Sequence, residues 1–514
     1  MVLERRSCLR LAAGTAAAMA LAPQLAGGAE PPPAKRNVLF IAVDDLRPEL
    51  GCYGAQRVSS PNIDRLAARG LVFERAFCQQ AVCSPSRTSL LTGCRPDTTR
   101  IYDLETHFRK TLPDVVTLPQ HFKANGYHTQ AFGKIFHGGL DDSRSWTEPT
   151  WQPKGVDWYR LPENRKLMDQ LTSGLKDDDA RIDAVRRGSI RGAPTECADV
   201  PDDAYSDGVI ADKTIAALRE HKGRPFFLAA GFHKPHLPFV APKKYWDMYK
   251  REDLKLAADP RPPSDFPAIA GTSWGELRRY HGIPGQGPLS DDEARLLIHG
   301  YLACISYVDA QIGRVVDELD RLGLAENTVI VLWGDHGWKL GEHGMWCKHT
   351  NFELDTRAPL ICVAPGGAAG RKTRALVEFV DIYPALCELA GLDKPAHLEG
   401  TSFAPLMKDP DRAWKTAAFS QYPRGKVMGY SIRTDRWRYT EWREPDGKVK
   451  ARELYDHQND PDENRCLAGQ PGQAAVVKEL AGKLRAGWQA ARPENEAERG
   501  AVSPRPLPQE VGRQ

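Results

Sequence analysis

The chain has 514 residues, 41% hydrophobic and 27% charged, with a formal net charge of +3. That length allows about two to four domains, or one large α/β domain with an appendage. The small charge and the lack of a dense Lys/Arg block exclude the footprint of a nucleic-acid binder.

The N-terminus reads as an export signal rather than as fold. Residues 1–30 carry a basic start, an apolar core too short to span a bilayer, and small residues, before a Pro-rich spacer at 31–36. Arg5-Arg6 resembles a twin-arginine signal, which exports folded proteins; a general secretory signal with a chance arginine pair is the alternative. Either predicts a periplasmic or secreted protein. No later apolar stretch approaches roughly 18 residues, so no stable membrane span is expected.

Apolar runs then alternate with amphipathic ones. Strands are predicted at 37–43, 128–133, 225–232, 328–334 and 358–365, and helices at 63–69, 88–91, 118–125, 204–221 and 291–322. Buried strands separated by helices predict an α/β fold with a large, doubly wound, mostly parallel sheet. There are no internal repeats. Residues 140–202 are polar and weakly periodic, and read as an insertion of loops and short helices. Within 428–456 side chains alternate around a turn at Gly447, which predicts two or three antiparallel strands, and 473–491 is an amphipathic helix. The expected organisation is a large α/β domain at 37–405, a smaller α+β subdomain at 406–495 and a loose tail at 496–514.

In open α/β sheets, ligands bind beyond the carboxyl ends of the strands. The first strand ends in Asp44-Asp45, adjacent carboxylates that repel unless a cation lies between them. A lone Asp-Asp is often only a cap or a turn, but the 328–334 strand runs into Asp335 and His336, with Lys348 further on. Carboxylates from two strand ends favour a hard cation, calcium or magnesium, over zinc. The 128–133 strand ends at Lys134, with His137 following, and the 225–232 strand leads into His233, Lys234 and His236. Single loop histidines and lysines are usually solvated. Clustered on one rim beside a metal, they suggest a bound tetrahedral anion.

Of the 11 cysteines, Cys8 lies in the signal and the others form no CxxC pair, so neither a disulfide framework nor a structural zinc site is expected. Cys83 stands apart. "CSPSRTSLLTG" places it at the start of a helix, an end that attracts anions and lowers a thiol pKa. A disulfide half, a thiol nucleophile, a metal ligand and a modified residue are all open readings, though anion-binding groups around it disfavour the disulfide.

Cys83-x-Pro85-x-Arg87 followed by "TSLLTG" resembles the signature of the type I, formylglycine-dependent sulfatases of the alkaline phosphatase superfamily. "AVDDLRPELGCYG", "GKIFHGG", "GFHKPHLPF", "GDHGWKLGEHGMWCKHTNFE" and "SQYPR" are similar to the iduronate-2-sulfatase branch. His336, where many sulfatases have Asn, and the spacing of His137 from Lys134 favour that branch. The resemblance implies that Cys83 is oxidised to formylglycine by a sulfatase-maturing enzyme. It implies that Asp44, Asp45, Asp335, His336 and the modified Cys83 bind calcium, and that Arg87 holds the formylglycine oxygen. Lys134, Lys348 and His233 would contact the sulfate, and His137 would act on the formylglycine hydroxyl. The implied substrate is a 2-sulfated uronic acid or related sulfated glycan, cleaved by an exo-acting enzyme. Another sulfated sugar or a small alkyl sulfate such as choline sulfate is the nearest alternative. A phosphatase or phosphonate monoester hydrolase, a catalytically silent carbohydrate-binding protein and a metal-free Cys-His hydrolase are further rivals.

Overall fold

The computed structural model describes residues 35–153, 158–186 and 188–493. The export signal, most of the spacer and the tail from 496 lie outside them.

Asn37–Val43 carries no charge and is buried at every position, as expected of a strand covered on both faces. It lies inside a seven-stranded sheet. From one edge the order is Arg371–Thr373, Leu71–Phe73, Leu360–Val363, Thr328–Gly334, Asn37–Val43, Phe226–Phe232 and His128–Gly133. The last four are parallel neighbours. Leu360–Val363 departs from the predicted pattern by running antiparallel to both its neighbours. The chain leaves Thr328–Gly334 at the carboxyl rim, crosses that rim in residues 335–359, and re-enters the sheet from the same end.

Strand alternation feeds two cores. Val38, Phe40 and Ala42 point to one, and Leu39, Ile41 and Val43 to the other. Helices Cys83–Thr92, Leu118–Ala124 and Ile382–Leu389 cover the first face; Pro61–Ala67, Ser206–His221 and Asp291–Arg321 cover the second. The long helix starts at a capping box, with the Ser290 hydroxyl accepting from Glu293 N while the Glu293 carboxylate accepts from Ser290 N.

The 140–202 insertion holds the expected short helices, Pro162–Thr172 and Asp178–Arg186. It also adds a strand, Thr195–Ala198, paired in parallel with Phe239–Pro242. Four residues with a distant partner carry no readable periodicity.

The C-terminal region forms a four-stranded meander where two or three strands were predicted: Ala418–Arg424, Val427–Arg433, Trp437–Arg443 and Val449–Asp456. The additional strand is at the edge, where Pro423 can lack an N–H without breaking a ladder. Leu480 and Leu484 of helix Ala474–Ala486 pack on Ile432, Tyr439 and Leu454 of this sheet. Gln421 N donates to Gln79 O at 2.8 Å, tying the edge strand to the loop before Cys83. Among the described residues no helix is long and apolar enough to cross a membrane, and the ten cysteines are all free.

Candidate active site

Strand register builds the site. Val43 pairs with Gly334 on one side and Phe232 on the other, and Gly231 pairs with Gly133. Asp44, Asp335, Lys134 and His233 therefore each leave the sheet one step beyond the last paired residue. Asp44 N donates to Phe232 O at 3.1 Å and Lys134 N to Gly231 O at 2.8 Å. A Cβ on Gly231 would lie 2.3 Å from the Lys134 carbonyl, so this approach needs glycine.

Asp45 sits at φ 59, a left-handed conformation that aspartate tolerates. The turn breaks the strand's alternation and brings the adjacent carboxylates of Asp44 and Asp45 into one cluster. Tyr301 fixes it, donating from its hydroxyl to Asp45 O at 2.8 Å while accepting from Arg47 N at 3.0 Å.

The helix Cys83–Thr92 begins at Cys83 as predicted, and all ten of its residues are buried. Its first turn has no side-chain cap, which leaves its N–H dipoles to the site. The expected fall in thiol pKa does not occur. Burial, then the Asp44 charge, push the Cys83 thiol well above its ordinary value, outweighing Lys134 and Lys348. Four N–H groups of Arg87 are engaged: Nε with Asp335 Oδ2 at 2.9 Å, Nη2 with Asp44 Oδ1 at 3.1 Å, and Nη1 with the carbonyls of Lys134 and Ile135. One Nη2 N–H is left over.

Two overlapping sets could hold a cation: Asp45, Cys83, Asp335 and His336, and Asp44, Asp45, Cys83 and His236, with ligand atoms in each within 4.8 Å of one another. His336 Nδ1 meets the Gly337 carbonyl at 2.9 Å. That carbonyl can only accept, so Nδ1 carries the proton and the Nε2 lone pair faces the cluster. Nε2 lies 3.3 Å from both Cys83 Sγ and Asp45 Oδ1. Burial, with Asp44 adding to it, raises the Asp45 pKa despite Lys348, His236 and His336. Asp44 shows the reverse: burial opposes it, but Lys134, His236 and Arg87 hold it well below the carboxylate range. Converging buried carboxylates, one of them under-compensated, fit a hard divalent ion, with the His336 nitrogen as the soft exception.

Two further groups of candidate ligands lie elsewhere, and arginine already occupies both. Arg224 donates to His221 Nδ1 at 2.7 Å, which puts the His221 proton on the Nε2 that would have to bind metal beside His128 and Glu148. Arg433 and Arg438 pair with Glu353 and Glu463 beside His457.

Lys134 lies 2.5 Å from Asp44 Oδ2, and Lys348 lies 2.9 Å from both oxygens of Asp45. Both lysines are buried, and their aspartates outweigh the burial that would discharge them, raising both pKa values. The buried Asp207 holds the next strand end, accepting from His233 N at 2.9 Å and Lys234 N at 2.8 Å. His233 Nδ1 and His137 Nδ1 are buried without a hydrogen-bond partner. Burial, then Lys134, push His137 well below its ordinary pKa, so it is neutral at pH 7. Lys234 turns away from the rim: its Nζ donates to the carbonyls of His236 and Pro238 at 2.7 Å each.

The structure thus brings Asp44, Asp45, Cys83, Arg87, Lys134, Asp335, His336 and Lys348 into one network and leaves His137 and His233 beside it. Sequence reasoning missed Glu276, Asp207 and Tyr301. Glu276 and Asp207 are acidic residues away from the predicted strand ends, and Tyr301 lies within an apolar helix run, so none of the three carried a signal.

Residues 36–392 match the Sulfatase family model, and residues 341–489 match that of the N-sulphoglucosamine sulphohydrolase C-terminal region. The chain is 38% identical over 481 residues to iduronate 2-sulfatase of Mus musculus, covering 79% of this chain and 84% of that protein. It is 37% identical over 508 residues to iduronate 2-sulfatase of Homo sapiens, covering 83% and 90%. In fold it is similar to a phosphonate monoester hydrolase from Silicibacter pomeroyi, with a TM-score of 0.71 and 24% identity over 90% of this chain and 97% of that one. The family match over most of the chain, around a rim that gathers the signature cysteine with carboxylates and lysines, shows that the chain belongs to the sulfatase family, with the alkaline phosphatase superfamily fold, and is a sulfuric ester hydrolase.

Proposed function

We propose that this sulfatase is an exported exo-enzyme that removes sulfate from 2-sulfated uronic acids or closely related sulfated glycans, using calcium and a formylglycine made from Cys83. The observation that carries the reading is the placement of two buried ammonium groups around Cys83. Lys134 is bound to Asp44 at 2.5 Å and Lys348 to Asp45 at 2.9 Å. The uronate assignment rests on the named activity of the mouse and human relatives. The catalytic unit is taken as 37–405 and the C-terminal subdomain as 406–495. A maturing enzyme is required as a partner.

Asp44, Asp45, Asp335, His336 and the converted Cys83 would hold the calcium. Calcium supplies positive charge at the sulfate oxygens, and formylglycine supplies an oxygen nucleophile where the thiol stands. Arg87 keeps Asp44 and Asp335 at fixed separation, and would use its remaining N–H to hold the formylglycine oxygen. A sulfate ester is an anion, and a nucleophilic oxygen approaching it is repelled. Lys134 and Lys348 reduce that repulsion and bind the charge that develops on the transferred group. His233 or Lys348 gives a proton to the departing alcohol. His137, neutral and buried, is ready to accept a proton.

The test is release of sulfate from a panel of sulfated disaccharides and choline sulfate, alongside an aryl sulfate and the matching aryl phosphate. Fastest turnover of a 2-sulfated non-reducing-end uronate is expected. Aryl phosphate turned over about tenfold faster than aryl sulfate would overturn the reading.

A further inference from the structure

Glu276 stands in the site with no part in the chemistry described so far. It lies in the one-turn helix Gly275–Arg278 within the long connection before the Asp291–Arg321 helix, not at a strand end. Its side chain is 11% exposed. One oxygen, Oε1, lies 3.2 Å from both Lys348 Nζ and His236 Nε2. The other, Oε2, lies 3.1 Å from Lys348 Nζ and 3.8 Å from His349 Nε2. A single carboxylate thus gathers three basic side chains on the Asp45 side of the cluster.

Lys348 makes this consequential. Its ammonium has three N–H groups and is 2.9 Å from both Asp45 oxygens. Asp45 also belongs to both cation-capable sets. If Lys348 had Asp45 as its only anchor, an N–H turned toward a sulfate would release the side chain, and a cation drawing on Asp45 would loosen it further. A lysine is a flexible, strongly hydrated point charge, so a second fixed anion is what keeps its head in place. His236 is also held from both ends: Nδ1 lies 2.6 Å from the Leu237 carbonyl, and Nε2 faces Glu276.

We propose that Glu276 is a positioning residue of the sulfatase reaction, a second anchor that holds Lys348 alongside Asp45 so that the ammonium can turn an N–H to the substrate's sulfate without leaving the site. This rests on the sulfatase reading above. Glu276 forms no bond to the reacting atoms and acts through Lys348. A displacement of about 1 Å at such a group can cost on the order of 100-fold in rate.

The experiment uses the mature full chain with Glu276→Gln, Glu276→Asp, Lys348→Met and the Glu276→Gln/Lys348→Met double variant. On a sulfate ester that the wild type turns over, E276Q is expected to lower kcat by about 10- to 100-fold with KM changed less than about threefold. E276D is expected to recover part of that loss. Because the carboxylate acts through the lysine, adding E276Q to K348M should cost less than about twofold more. The crystal structure of E276Q should show Lys348 Nζ displaced by more than about 1 Å. The proposal is overturned by kcat within about twofold of wild type, by losses that multiply in the double variant, or by an unmoved Lys348. A wild type that releases sulfate from no ester defeats the sulfatase reading, and the position of Lys348 in E276Q still decides the role of Glu276.

Discussion

Arg87 Nε donates to Asp335 Oδ2 at 2.9 Å with both side chains fully buried. The same guanidinium donates through Nη2 to Asp44 Oδ1 at 3.1 Å. One planar fork therefore spaces carboxylates that arrive from two different strands.

Arg87→Lys tests this. Lysine keeps the charge but cannot bond two carboxylates and two carbonyls at once. Breaking a buried pair costs about 3–5 kcal/mol, so denaturant unfolding should show a loss of that size. Sulfate release should fall at least about 100-fold, because the cation site loses its shape. A variant within about 1 kcal/mol of wild type would contradict the role given to Arg87.

Chelation tests the metal. Buried Asp45, raised in pKa by its surroundings, should be relieved by a divalent ion. Dialysis against a chelator is expected to lower both the melting temperature and the activity. Calcium at about 100 times its Kd should restore roughly 2.7 kcal/mol. His336→Ala should weaken calcium binding measured by calorimetry. Zinc restoring activity better than calcium would assign the site to a different ion.

Cys83 can be followed by mass. Trypsin releases residues Ala76–Arg87, "AFCQQAVCSPSR". Conversion exchanges one sulfur and two hydrogens for an oxygen, and that lighter peptide is expected when the chain is produced with a maturing enzyme. Cys83→Ala should abolish sulfate release while leaving the melting temperature near wild type, since a small buried group replaces another. Full activity with only the unconverted peptide present would remove formylglycine from the mechanism.

Glu342 links stability to pH. Burial alone would raise its pKa, but Arg47 at 2.8 Å and the Leu340 N–H lower it from 4.5 to about 2. A carboxylate depressed in the folded state stabilises above its unfolded pKa, and that stability is lost as pH falls through the folded value. Its side chain is 22% exposed, so a contribution of about 2–3 kcal/mol is expected at pH 7. The stability gap between wild type and Glu342→Gln should be full above about pH 5 and close toward pH 2. A gap constant from pH 7 to pH 3 would reject the assignment.

Much of the site was legible because it sits where strands stop. Four apolar runs end in Asp44, Asp335, Lys134 and His233, and a parallel sheet sends such ends to one rim. The strand 37–43 was readable to the residue because its burial leaves no polar position after Asn37. Legibility failed where structure depends on distant partners. Thr195–Ala198 is a strand only because Phe239–Pro242 lies beside it. The edge strand Ala418–Arg424 contains a proline that argues locally against it.

Local chemistry in the chain settled the central strands, the rim and the signature around Cys83, because hydrophobic period and turn residues act over a few positions. Long-range packing alone settled the rest. It spent Arg87 on two carboxylates, reversed the expected fall in the Cys83 thiol pKa through burial, and drew Glu276 onto Lys348, 72 positions away. Charges couple through space according to distance and dielectric, and neither quantity is written in sequence separation.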